Sequence, residues 1–123
     1  NAIDWSLKEK NLALFHYYQG LIALRKAHPA FHMGDADLVR ANVHFLPVEE
    51  GVVAYQLNGE AVGDSWKTIV VVLNSQTKTA QVALPAGTYR FACVDGQCPY
   101  YGERIAEATV RVAPQSAAIL YLD

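Results

Sequence analysis

Two hydrophobic periods divide the chain at Pro29. Before it, apolar residues recur every three to four positions as Leu14, Phe15, Tyr18, Leu21 and Ile22, with Tyr17 and Leu24 widening the stripe. That period predicts one amphipathic helix over 6–28. Ser6-Leu7-Lys8-Glu9 supplies a capping-box entry, with Ser6 at N-cap and Glu9 three positions on. Arg25, Lys26 and His28 place cations or potential cations where the helix dipole favours them. Pro29 then ends the helix, because it disfavours the helical backbone at His28 and has no N–H to donate. Beyond Pro29, short runs of β-formers alternate with turn residues, predicting strands near 39–46, 52–58, 67–74, 79–84, 88–94, 108–113 and 117–122. Glu49-Glu50-Gly51, Asn58-Gly59, the stretch Asn74 to Lys78 and Pro85-Ala86-Gly87 are the expected turns. Ile69-Val70-Val71-Val72-Leu73 is apolar on both faces, the mark of a central, covered strand. The fold class that follows is mainly β: an antiparallel Greek-key β-sandwich preceded by one long amphipathic α-helix.

The helix stripe sets an energetic condition. Five large side chains are each worth roughly 1.5–3 kcal/mol when buried. Together they reach about 10 kcal/mol, comparable with the stability of a whole domain. The strands can cover part of the stripe. The remainder calls for a larger body against the helix, or for self-association through it.

Composition narrows the partners. The 123 residues are 52% hydrophobic and 18% charged, with a net charge of −2. No basic stripe is present, which argues against a nucleic-acid partner. No run is long enough for a membrane span. The opening Asn1-Ala2-Ile3-Asp4-Trp5 lacks Met and a leader pattern, and fits the interior of a longer protein. Cys93 and Cys98 flank Val94-Asp95-Gly96-Gln97. If Asp95-Gly96 is a two-residue hairpin turn, Val94 and Gln97 close it and the cysteines face each other as the next pair, about 4.5 Å apart at Cα. Two readings follow. A disulfide would suit an oxidising, extracellular or cell-surface setting. The alternative is a pair of ordinary buried thiols.

The opening Asn1-Ala2-Ile3-Asp4-Trp5-Ser6, followed by Gly20-Leu21-Ile22-Ala23-Leu24-Arg25-Lys26-Ala27-His28-Pro29-Ala30-Phe31, resembles the end of the catalytic barrel in type I pullulanases of glycoside hydrolase family 13. Leu84-Pro85-Ala86-Gly87-Thr88-Tyr89, Val94-Asp95-Gly96 and Val112-Ala113-Pro114-Gln115-Ser116 are similar to their C-terminal sandwich. The resemblance divides the chain into 1–29, the last helix of a (β/α)₈ barrel, and 30–123, an all-β sandwich. It implies a parent that hydrolyses α-1,6 branch linkages of an α-glucan, in pullulan, amylopectin or limit dextrins. Such a parent uses two carboxylates about 5–5.5 Å apart in a retaining mechanism. In this family those groups lie on earlier barrel strands, so the resemblance carries no catalytic, cofactor-binding or metal residue onto this chain. It extends more loosely to isoamylases and α-amylases. The fragment itself is expected to be structural and non-catalytic, with an α-glucan-binding module as the alternative.

The chain's own candidates bear this out only as far as residue types allow. Glu49 and Glu50 fit a solvated turn, and Asp35, Asp37 and Asp95 fit turns of their own. Asp4 stands at the helix entry, facing either a local hydrogen bond or the substrate side of a barrel. Trp5 either anchors the helix start or stacks on a sugar. His28 and His32 have i, i+4 spacing, but Pro29 breaks the helix that would align them, and His16 and His44 lie apart. Neither the histidines nor the cysteines make a metal set. Arg25 suits a carboxylate or carbonyl at the helix-to-sheet junction. Trp66, Tyr100 and Tyr101 are the aromatics that could present a sugar-stacking surface.

Overall fold

The computed structural model describes residues 11–123. Helix α1 spans Leu12–Ala27. The capping box at Ser6 and the pair Asp4 and Trp5 lie outside the described residues. Pro29 acts as expected at the other end. His28 leaves the helix in an extended conformation, and its backbone N–H still reaches Leu24 O at 3.1 Å. A single 3₁₀ turn, Pro29–His32, carries the chain onward.

Where a strand is expected over 39–46, the chain instead forms a second helix, α2, Ala36–Asn42, followed by the short strand β1, Val43–Phe45. The cause is local. Asp35 is the N-cap and its carboxylate accepts the Asp37 N–H at 2.7 Å. Ala36, Leu38, Arg40 and Ala41 are good helix formers, and Arg40 pairs with Asp37 one turn back at 2.9 Å. Val39 is the one β-branched residue within α2. Asp35 and Asp37 are therefore a helix start rather than a plain turn.

The remaining strands are β2 (Val52–Asn58), β3 (Thr68–Asn74), β4 (Ala80–Cys93), β5 (Ile105–Val112) and β6 (Ser116–Leu122). All pairings are antiparallel, in the order β1-β2-β3-β6-β4-β5. The return of β6 to a slot between β3 and β4 is the non-adjacent connection of a Greek-key arrangement. The two strands expected at 79–84 and 88–94 are one. Pro85-Ala86-Gly87 does not reverse the chain; it forms a wide bulge in β4, with Leu84 to Gly87 opposite Ala108 alone. A proline is tolerated there because a bulge asks for no ladder hydrogen bond, and Gly87 takes φ 135.

The bend lets β4 and β5 fold back over the other strands. Ala80, Val82, Val110 and Val112 meet Val52, Ala54, Val70 and Val72 in one sealed core. The opposite face of β3, Ile69 and Val71, packs with Ile119, Ala92 and Leu57 beneath α1. β3 is thus covered on both sides, as its unbroken apolar run requires. Tyr89 and Phe91 point into the sealed core, but the register slips between Phe91 and Cys93, so Cys93 faces the helix side rather than sharing their face.

Candidate functional site at the helix-to-sheet junction

Pro29 sets the geometry of the junction. By forcing His28 out of the helix, it directs the imidazole toward the loop between β2 and β3. That loop makes a 3₁₀ turn at Glu60–Val62, and Gly63 takes φ 79 to turn it back. Gly59 can only be glycine here, since a Cβ would stand 2.0 Å from Trp66 O. Asp64 lies at the centre, its side chain wholly buried. One carboxylate oxygen accepts from His28 Nδ1 at 2.7 Å and from the Trp66 N–H at 2.9 Å; the other accepts from the Ala30 N–H at 3.2 Å. Burial pushes this carboxyl up, but the bonds from His28, Trp66 and Ala30, with the His28 charge, outweigh it and hold it below the usual carboxylate value. Asp64 therefore stays ionised, as an acceptor that fixes the chain on both sides of Pro29.

Above it lies a three-ring stack. His28 sits 3.6 Å from Trp66, and Trp66 sits 4.0 Å from Tyr121 on its other face. Both faces of Trp66 are occupied, which removes it as a sugar-stacking platform. The arrangement clamps the end of α1 to β6.

The middle of α1 rests on the cysteine hairpin. Val94 and Gln97 exchange both backbone bonds, at 3.1 and 3.0 Å, around Asp95 (φ 52) and Gly96 (φ 74). Cys93 and Cys98 form a disulfide with a Cα separation of 4.5 Å, so the bridge, not the pair of thiols, is the reading that holds. Gly20 lies against this hairpin, and a Cβ there would meet Cys98 O at 1.7 Å. Only a glycine lets the helix backbone approach so closely.

The apolar stripe of α1 divides in two. Tyr17, Leu21 and Leu24 pack toward the sheet. Leu14, Tyr18 and Ile22, spaced four apart along the outer face, remain 53%, 58% and 55% exposed. The helix is seated, and still presents an uncovered apolar row.

The other sequence candidates stay separate. Glu49 and Glu50 lie exposed in their turn, with Glu49 3.7 Å from Lys78. Asp95 combines its turn role with a 2.8 Å ion pair to Arg104. His16 meets Gln19 and the edge of Phe15, while His32 and His44 are exposed elsewhere. Arg25 is exposed and makes no ion pair among the described residues; His28 and Asp64 take the junction role instead. Tyr100 is half-buried and Tyr101 is 88% exposed. Among the described residues no group of three metal-ligating side chains gathers, and no helix is long and apolar enough to cross a membrane. The hydrophobic pattern alone does not single out Asp64. Its local signal is legible in Gly63-Asp64-Ser65-Trp66, where an Asp caps the N–H two residues on. Its partner His28, thirty-six positions earlier, is not.

Known proteins resemble the chain over different extents. Residues 39–97 match the family described as pullulanase, all-beta domain. A pullulanase of Bacillus subtilis (strain 168) is 34% identical over 94 residues, covering 76% of this chain and 13% of the relative. Among solved structures, the pullulanase from Bacillus acidopullulyticus superposes with a TM-score of 0.93 at 32% identity, over 98% of this chain and 15% of that one. The type I pullulanase from Bacillus subtilis str. 168, complexed with maltose, gives 0.89 at 32% identity, over 99% and 17%. The pullulanase from Anoxybacillus sp. LM18-11, complexed with maltotriose, gives 0.87 at 30% identity, over 98% and 16%. The chain thus spans a small part of the length of each.

Proposed function

We propose, for a chain that carries a pullulanase all-beta domain, that it is the C-terminal, non-catalytic part of a debranching enzyme whose catalytic body lies outside it. In this reading, residues 1–29 are the last helix of a (β/α)₈ barrel and 30–123 are the sandwich that steadies it. The parent hydrolyses α-1,6 linkages of α-glucans such as pullulan, amylopectin and limit dextrins. The sandwich contributes no reacting group. It holds α1 from beneath through Gly20 on the cysteine hairpin, and at its end through His28 on Asp64. The outer row of Leu14, Tyr18 and Ile22 is then the face that meets the barrel.

The observation that carries this is the divided stripe on α1. A helix so firmly fixed on one side, with three large apolar side chains half exposed on the other, is built to lie between two bodies. Assay of the 123-residue chain on pullulan tests it. No reducing-sugar release above buffer is expected; measurable release overturns the non-catalytic assignment.

A further inference from the structure

Where β4 and β6 meet the segment after the cysteine hairpin lies an open groove of about 360 Å³, within the size range of small-ligand sites. Arg90, Tyr100, Glu103, Arg104 and Tyr121 line it. Arg90 and Tyr121 are register partners on β4 and β6, so their side chains share this face.

The groove is largely prebuilt. Tyr121 is braced on one face by Trp66 at 4.0 Å and lines the cavity. Tyr100 is held edge-on by Phe91 at 6.1 Å, and its hydroxyl lies so close to Gly102 that a Cβ there would sit 2.0 Å from it. Arg104 is fixed by Asp95 at 2.8 Å and lies 4.8 Å over the Phe91 ring. Arg90 and Glu103 are exposed and form no ion pair among the described residues, so their hydrogen-bonding capacity is open.

The charges select a class of ligand. Arg90 and Arg104 are balanced by Glu103 and Asp95, so an anion gains no net attraction. What remains is a planar multiple donor, a carboxylate acceptor and an aromatic face. Sugar hydroxyls need both donors and acceptors, and the apolar face of a pyranose matches a ring. We infer that this groove binds a neutral oligosaccharide, an α-glucan, at a point away from any catalytic centre. The choice of an α-glucan among neutral sugars rests on the activity proposed for the parent; the groove itself does not.

Amide chemical shifts of the chain titrated with maltotriose to about 10 mM, where millimolar binding registers, test this. Shifts are expected around Arg90, Tyr100 to Ile105 and Tyr121. The double substitution Arg90→Ala with Glu103→Gln, both at exposed positions, should weaken binding at least about tenfold while leaving the rest of the spectrum unchanged. No response to maltotriose or to cellotriose, or shifts that persist in the double variant, overturns the groove. Shifts from inorganic phosphate without any from maltotriose do the same. A stronger response to cellotriose than to maltotriose overturns the α-glucan choice, and with it the link to the parent's proposed activity, while the docking face of α1 stays separately testable.

Discussion

The two sides of β3 solve the same problem differently. Toward the sandwich interior, Val70 and Val72 meet a layer closed by the chain itself, almost all aliphatic, with Leu120 and Ala118 fully buried. Toward α1, Ile69 and Val71 are just as buried, but the layer above them is held by a carboxylate, three stacked rings and a disulfide, and it ends in an exposed apolar row. The inner layer needs only volume and shape. The outer layer needs directional bonds, because its helix is fixed at few points and turns a second face outward.

The largest effect should come from the closed side. Leu120→Ala removes a fully buried side chain and should cost about 2–5 kcal/mol in urea unfolding. A loss no greater than that of an exposed-site substitution would mean the interior is not close-packed.

An intermediate effect belongs to the junction. Asp64→Asn should cost about 1–3 kcal/mol at neutral pH, since the amide keeps one acceptor oxygen for His28 Nδ1 and the Trp66 N–H but turns an NH2 donor toward the Ala30 N–H, or the reverse. Its acid behaviour has a definite sign. The native carboxyl is held below its ordinary value, so its contribution is fully present above about pH 4 and is lost as pH falls through the lowered native value. Asp64→Asn should flatten that acid limb; an unchanged limb would remove Asp64 from the clamp.

The smallest change in stability, within about 0.5 kcal/mol, is expected from Tyr18→Ser with Ile22→Ser. The same pair should nevertheless shift sedimentation, because the isolated chain is expected to pair through this row. A monomer at all concentrations before substitution would sink that expectation.

Much of the fold was legible in local pattern. The change of period at Pro29, the doubly apolar run of β3 and the Asp95-Gly96 hairpin with its facing cysteines each rest on residues within a few positions of one another. Local pattern misleads where one residue type serves two purposes. Pro85 and Gly87 usually reverse a chain, yet here they relax a ladder within one strand. Val39 and Val43 suggest a strand, but Asp35 caps a helix first, a signal present and outweighed. The junction was half legible: Asp64 announces its bond to Trp66, whereas its bond to His28 depends on how the whole sheet places the two loops. The stripe on α1 was visible as a whole, but its division into a seated and an open face required the position of the cysteine hairpin.

The bulge at Leu84 to Gly87 has a mechanical meaning. β4 pairs with β5 on both sides of it, and with β6 only beyond it. One strand is therefore the common spine of both leaves, and its flexed segment is the crease along which they fold together. α1 rests on the hairpin that ends this spine and is tied by His28 to Asp64 in the β2–β3 loop, so the helix is joined to the sheet at two separate places.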